Sequence, residues 1–126
     1  MRMRFLVVAA SLVVSSTSFA EEPVEKLIAR LGEGEKVVEV EIVRRGEIAV
    51  KPLAHILQDE KADWNTRISA ALLLGKIGGK NVVGPLKTAL TDKNANVRYF
   101  AIHALGDVGP AAGDAVTELT KLLRER

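Results

Sequence analysis

The 126-residue sequence contains no cysteine, which excludes disulfide bonds, thiolate metal sites and a lipid anchor attached to a cysteine. Aromatic residues make up only 4% of the chain, so a site for a bilin or another large planar cofactor is not expected. No serine lies in the sequence context of a hydrolase nucleophile, and the glycine-rich segment 75–80 lacks the spacing of a phosphate-binding loop. These absences predict a protein with no catalytic residue and no cofactor.

The first twenty residues have the order of a secretory signal peptide. Arg2 and Arg4 precede an apolar run over 5–14, and Ser18 and Ala20 supply the small residues before a cleavage position. An apolar helix of this length rises only about 15 Å, whereas the hydrocarbon core of a membrane is about 30 Å thick. We therefore predict cleavage after Ala20, no membrane span after cleavage, and a periplasmic or secreted protein; a retained anchor is the alternative.

Removal of this segment changes the charge balance. The chain has 18 Lys and Arg residues and 16 Asp and Glu residues, and residues 1–20 include two arginines but no acid, so 16 residues of each sign remain. A nucleic-acid-binding surface usually carries net or clustered positive charge, because counterion release supplies much of its affinity. Nucleic acid is therefore not expected as a partner.

Two blocks repeat along the rest of the chain. The first block recurs twice at a spacing of 33 residues, as Val50-Lys-Pro-Leu53, Val83-Gly-Pro-Leu86 and Val116-Thr-Glu-Leu119. The second block aligns 67–78 with 98–109, and a degenerate copy over 38–46 matches Gly46 with Gly75 and Gly106. Both blocks have apolar residues at helical spacing, and we expect Gly75 and Gly106 to end their helices.

These patterns predict an all-α fold, an α-solenoid of about three antiparallel helix pairs with an N-terminal capping helix. The alternation over 40–42 also fits a strand, but a single strand would have no sheet to join, so a helix is favoured. Asp63, Asn65, Asp92 and Asn94 precede helices as capping residues do, and Pro52 and Pro85 fall in first turns. The predicted helices cover 23–31, 36–45, 47–58, 63–77, 81–91, 94–107 and 112–125. The predicted domains are a signal peptide over 1–20, a capping helix and linker over 21–35, and a repeat domain over 36–126.

The best-formed copy carries a recognisable pattern, Asp92-Lys-Asn-Ala-Asn-Val97-Arg98, then Ala101, Ala104-Leu105-Gly106 and Val108-Gly109. It resembles HEAT-like repeats, in the short bacterial variety known from phycobilisome lyase-type proteins. The resemblance covers nearly all of 36–125. It implies a structural ladder between repeats, formed here by Asp92 with Arg98 and by Arg67 in the preceding copy; a role of Arg98 in gripping an anion is the alternative.

The resemblance also raises the possibility of a metal site, because some HEAT-like enzymes hold a di-iron centre with His-Glu pairs. Here His55 is followed by Ile56 and His103 by Ala104, so the motif is absent. We predict no metal site, and we expect one surface histidine and one packed histidine.

One face of the second helix in each pair is a candidate binding surface. The side opposite the core carries basic and hydroxyl side chains and no carboxylate, which suits an acidic or polar peptide or protein. A merely solvated face is the alternative. Trp64 could be an exposed anchor, but we favour a role in covering the turn before its helix. The candidate partner-binding residues are Lys51, His55, Lys87, Thr88, Thr120, Lys121 and Arg124.

Together these features predict an exported, non-catalytic scaffold or adaptor that mediates protein–protein interaction. Its terminal helix keeps three leucines, Leu119, Leu122 and Leu123, with no further repeat to cover them, so that helix could also self-associate. The resemblance leaves a cofactor lyase or a lyase-like chaperone as one alternative. A structural fragment of a longer repeat array is the other.

Overall fold

The computed structural model describes residues 22–115 together with Lys121 and Arg124. Within these residues the chain forms six α-helices and no strand, so the all-α prediction is confirmed. The helices are α1 (Val24–Ala29), α2 (Lys36–Arg45), α3 (Val50–Gln58), α4 (Trp64–Ile77), α5 (Val83–Ala89) and α6 (Ala95–Val108). Short 3-10 helices lie between or after them, at Leu31–Glu33, Gly46–Ala49, Lys80–Val82 and Gly109–Ala115.

The helices occur in the predicted order, but the main packing contacts differ from the predicted pairing. α3 packs on α4 and α5 packs on α6, and the predicted partners α2 with α3 and α4 with α5 are not among the main contacts of the described residues. Because α2 is helical from Lys36 to Arg45, the strand interpretation of 40–42 is excluded. The predicted signal peptide lies outside the described residues, and so does most of the helix predicted over 112–125.

The core is centred on α4, which contacts α2, α3 and α6. Neighbours on several sides explain why this helix buries residues around most of its circumference rather than along one stripe. Its buried residues are Arg67, Ile68, Ala70, Ala71, Leu73, Leu74 and Gly75. Leu53 and Leu57 of α3 and Leu86 of α5 complete the core around it, each with 1% of its surface exposed or less.

The predicted bounds 63–77 and 94–107 agree with α4 and α6 to within one residue, but the prediction that the helix stop falls at Gly75 and Gly106 is wrong. Each helix continues for two more residues, and the backbone turns at Gly78 and Gly109, both with φ of 71°. Gly46 ends α2 with φ of 61°. A positive φ suits glycine because a side chain would clash there. In the degenerate first copy, Gly46 therefore corresponds to Gly78 and Gly109.

Gly75 has a different role, in helix packing. A Cβ atom added to Gly75 would lie 2.9 Å from both the Cα and the Cβ atoms of Ala104 in α6. Real Cβ atoms do not approach other carbon atoms so closely. The absence of a side chain at Gly75 therefore lets α4 and α6 pack at short range.

The residues predicted at the starts of the helices have the expected roles only in part. Asn94 caps α6, because its Oδ1 atom accepts hydrogen bonds from the backbone N–H groups of Asn96 (2.8 Å) and Val97 (3.2 Å). Asp63 occupies the same position before α4, but its side chain makes no capping hydrogen bond. Pro52 and Pro85 lie in the first turns of α3 and α5, as predicted, where a missing amide donor costs nothing.

Candidate interaction surface

The candidate binding surface lies on α3 and α5, and we call it the α3–α5 surface. The two helices contact each other, so their outward sides adjoin. Buried leucines and valines fix which side of each helix faces the core and which faces outward. The outward residues are Lys51, Ala54, His55 and Gln58 of α3, Gly84, Lys87 and Thr88 of α5, and Thr91 in the turn after α5. All are exposed except for Ala54 and Lys87, which are half-buried.

The lysines of this surface have no carboxylate partner. Neither Lys51 nor Lys87 forms an ion pair with any residue that the structure describes. By contrast, the Nζ atom of Lys36 lies 3.0 Å from a carboxylate oxygen of Glu39. One acid borders the surface, because Glu47 lies one turn before Lys51; its carboxylate accepts a hydrogen bond from Asn81 and forms no ion pair with Lys51. The surface thus presents positive charge that is open to an external anion.

The threonines contribute less than the sequence suggested. The hydroxyl of Thr88 donates to the backbone carbonyl of Gly84 (3.1 Å), and that of Thr91 donates to the carbonyl of Thr88 (2.9 Å). Both hydroxyl protons are therefore used by nearby backbone carbonyls, and each hydroxyl oxygen is left as an acceptor. Recognition of an acidic group on this surface would depend on the lysines.

Only two residues of the helix predicted over 112–125 that face the candidate surface belong to the described part of the chain. Lys121 and Arg124 are helical and exposed. Thr120 lies outside the described residues, and so do the three leucines on which the prediction of self-association depends. Whether these side chains join the α3–α5 surface therefore stays a prediction.

Both histidines are exposed, so the expectation of one packed histidine is wrong. His103 lies on the outside of α6, where its ring meets Tyr99 with centroids 5.2 Å apart and Phe100 with centroids 6.3 Å apart. In the described part of the chain, no group of three or more His, Cys, Asp and Glu residues is arranged to hold a metal ion.

The ladder between repeats has other partners than the resemblance implied. Arg67 is buried, and its guanidinium donates to the carboxylate of Asp92 and, through Nε, to the carbonyl oxygen of Leu57 (3.2 Å). Leu57 lies in the last turn of α3 and Asp92 follows α5, so one arginine joins the ends of two successive helices. Arg98 instead donates through Nη1 to the backbone carbonyls of Asp92 (2.7 Å) and Lys93 (3.2 Å). The expected Asp92–Arg98 ion pair is therefore replaced by Asp92–Arg67.

The sequence analysis missed several exposed apolar residues. Val37 and Val40 are 61% and 68% exposed, although they lie on the same helix as the buried Val38 and Ile42. Val40, Val43 and Leu73 line a shallow groove of about 440 Å³ between α2 and α4, which Lys36, Glu39 and Lys76 border. Tyr99 is 55% exposed. Trp64, which the sequence left open as an exposed anchor, is 42% exposed. The excess of valines in 37–43 was the available signal, since a single buried stripe needs fewer apolar residues.

Comparison with known proteins agrees with this architecture. A family model described as HEAT repeats matches residues 50–126, which is more than half of the chain. No curated protein matches the sequence. In the part of the chain that the structure describes, no helix has the length and apolar character needed to cross a membrane.

Proposed function

The chain belongs to the HEAT-repeat family, and from this membership we propose that it is an exported, non-catalytic adaptor that binds an acidic protein segment on its α3–α5 surface. HEAT repeats generally mediate protein–protein interaction. Short repeated helices suit this role because they stack into an extended surface along which a partner can lie.

One observation carries the choice of partner: Lys51 and Lys87 lie on adjoining helices and pair with no described carboxylate. An acidic segment lying across α3 and α5 would supply the missing anions. An exposed ion pair contributes only about 0.2–1 kcal/mol, so binding requires several such contacts together with burial of the half-exposed Ala54. We therefore expect a moderate affinity and a partner with several acidic residues in succession.

Export is supported by the sequence of residues 1–20. A positively charged start, a ten-residue apolar run and small residues before Ala20 have the order that secretion requires. The lack of cysteine leaves the repeat domain independent of the redox state of its compartment. An adaptor outside the cytoplasm would meet acidic segments of other exported proteins.

The experiment is a binding titration with a Glu-rich peptide, followed by fluorescence anisotropy. We expect the double variant Lys51→Glu/Lys87→Glu to lose at least about tenfold in affinity, because two attractive charges become repulsive. The matched control is Lys76→Glu/Lys80→Glu, which makes the same change of charge at two exposed lysines outside this surface. Equal affinities for the two variants would show that the α3–α5 surface does not bind acidic peptides.

A second measurement finds the natural partner. The chain and both double variants are immobilised and incubated with the exported fraction of the producing cell, and bound proteins are identified by mass spectrometry. A protein retained by the chain and by the control, but not by Lys51→Glu/Lys87→Glu, is the expected result. Retention by all three would place the binding site elsewhere.

A further inference from the structure

The two helices of the α3–α5 surface have a fixed register relative to each other. Before they start, the side-chain amide of Asn81 donates a hydrogen bond to the carboxylate of Glu47. After they end, the Nζ atom of Lys93 lies 3.3 Å from a carboxylate oxygen of Glu60. The partners in these contacts are 34 and 33 residues apart, so α3 and α5 run in the same direction with equivalent residues side by side.

This register places the two lysines of the surface on a diagonal. At the repeat period of 33 residues, Lys51 lies beside Gly84, and Lys87 lies beside Ala54. Packed helices are about 8–10 Å apart, and three residues advance a helix by about 4.5 Å, so the backbone positions of Lys51 and Lys87 are about 10 Å apart. The opposite diagonal carries only a glycine and an alanine, so no long side chain stands between the two lysines. Glu47, one turn before Lys51 on its own side of the surface, lies off the diagonal.

The same surface offers hydrogen-bond donors that the described part of the chain does not use. His55 and Gln58 are exposed and form no hydrogen bond with a described residue. An imidazole and a side-chain amide can each donate an N–H to a carbonyl oxygen. A bound segment with free backbone carbonyls would therefore find partners beside the lysines, whereas a helical segment uses its own carbonyls internally.

The separation of the lysines distinguishes three conformations of a bound acidic segment. In a β-strand, three residues span about 10 Å, but their side chains point to opposite faces. In an α-helix, about seven residues are needed to span 10 Å along one face. In a polyproline II helix, every third side chain lies on the same face with a repeat of about 9.3 Å, and the backbone carbonyls are free. The polyproline II conformation therefore matches both the spacing of the lysines and the unused donors.

We propose that the α3–α5 surface selects acidic segments that carry a carboxylate at every third residue and bind in the polyproline II conformation. This inference rests on the function proposed above and adds a spacing to the charge. Two carboxylates three residues apart would lie over Lys51 and Lys87 at the same time. To reach a cluster of adjacent acids, the two lysine side chains would have to converge against their mutual repulsion. A polyproline II segment also loses little conformational entropy on binding, because its conformation is already formed.

The test compares synthetic peptides of identical composition and charge on the unchanged chain, by fluorescence anisotropy. One peptide repeats Glu-Pro-Ala four times, and the other has its four glutamates in succession. We expect the spaced peptide to bind at least about threefold more tightly, which is the factor that one additional exposed ion pair supplies. A peptide that repeats Glu-Gly-Ala keeps the spacing but is flexible, and we expect it to bind more weakly than the proline peptide.

A relocated lysine tests the spacing at constant charge. The variant Ala54→Lys/Lys87→Ala moves the second lysine onto α3, one turn from Lys51, where Cβ atoms are about 5–6 Å apart. We expect this variant to lose the preference for the spaced peptide. The control Lys80→Ala removes an exposed lysine outside the surface and should keep the preference. Circular dichroism confirms that each variant is folded, and the comparison of peptides on the unchanged chain does not depend on any variant.

The outcomes separate this proposal from the function on which it rests. Equal or weaker binding of the spaced peptide, or a preference that survives relocation of the lysine, would overturn the spacing. Equal binding of the proline and glycine peptides would overturn the polyproline II conformation. If both charged peptides still lose affinity for Lys51→Glu/Lys87→Glu, the acidic partner stands and only the spacing is wrong. If neither peptide loses affinity for that variant, both proposals are wrong.

Discussion

Gly75 of α4 lies against the backbone of Ala104 in α6 at a distance that leaves no room for a methyl group. The contact fixes the separation of two helices that belong to successive repeats. A solenoid has no long-range contacts beyond neighbouring repeats, so each such contact determines how well one repeat supports the next.

Gly75→Ala should therefore destabilise the fold by about 1–3 kcal/mol through overpacking, although alanine favours the helix by about 1 kcal/mol. Gly84→Ala is the control, because its added methyl group meets nothing within 4 Å and should be neutral or slightly stabilising. Urea unfolding followed by circular dichroism measures both. A stabilised Gly75→Ala variant would mean that α4 and α6 separate without cost.

The roles of these glycines show where sequence reasoning reached its limit. The period of 33 residues and the spacing of apolar residues predicted every described helix to within a few residues, because burial of one helix face imposes both patterns. Spacing predicted the helix bounds over 63–77, but it could not decide whether Gly75 or Gly78 has the positive φ, since both fit a stop signal. It depends on which glycine faces a neighbouring helix, and that is a tertiary contact.

The same limit applies to the candidate sites. Lys51 and Lys87 were assigned to one surface from the period and the helical spacing of the apolar residues, and both lie on the outward side of adjoining helices. The partner of Arg67 was not predictable, because Asp92 is 25 residues away and its carboxylate could equally have met Arg98. The exposure of Tyr99 was not predictable either, because it depends on which helices pack against α6, and that is a tertiary contact.

The ion pair between Arg67 and Asp92 should stabilise the junction of the second and third repeats. Their side chains are only 8% and 10% exposed, and loss of one partner of a buried pair typically costs about 3–5 kcal/mol. Asp92→Asn removes the charge but keeps an oxygen for the backbone N–H of Asn94, which bonds to Asp92 at 2.8 Å. We expect this variant to lose about 3 kcal/mol in urea unfolding.

The control for this pair is a double-mutant cycle with Arg67→Met. Methionine fills similar space without a charge, so Arg67→Met/Asp92→Asn should cost less than the two single changes together. Additive losses would show that the two side chains do not interact in solution.

Asn94 should contribute to stability through the cap of α6. Asn94→Ala removes the acceptor for two backbone N–H groups and is expected to cost about 1 kcal/mol. Asn65→Ala is the control, since the exposed Asn65 makes no side-chain hydrogen bond with the rest of the described chain. A shift of the urea midpoint in Asn94→Ala alone is the expected result, and equal shifts would contradict it.

The proposed cleavage of the signal peptide can be tested by measuring the mass of the exported protein. Protein recovered from outside the cytoplasm should begin at Glu21, because Ser18 and Ala20 fit a cleavage site that requires small residues. Ala20→Lys should block cleavage and leave the longer chain with the membrane fraction, whereas Glu22→Lys, beyond the site, should still be cleaved. Recovery of the unchanged sequence with Met1 at its start would refute cleavage.

Salt should weaken the proposed binding of an acidic segment, because the attraction is electrostatic. At an ionic strength of 0.1 M the Debye length is about 10 Å and at 1 M it is about 3 Å, so attraction between the lysines of the α3–α5 surface and a Glu-rich peptide should weaken steadily over this range. We expect peptide affinity to fall at least about tenfold between these salt concentrations. Peptide binding that resists salt would point to apolar contacts in place of Lys51 and Lys87.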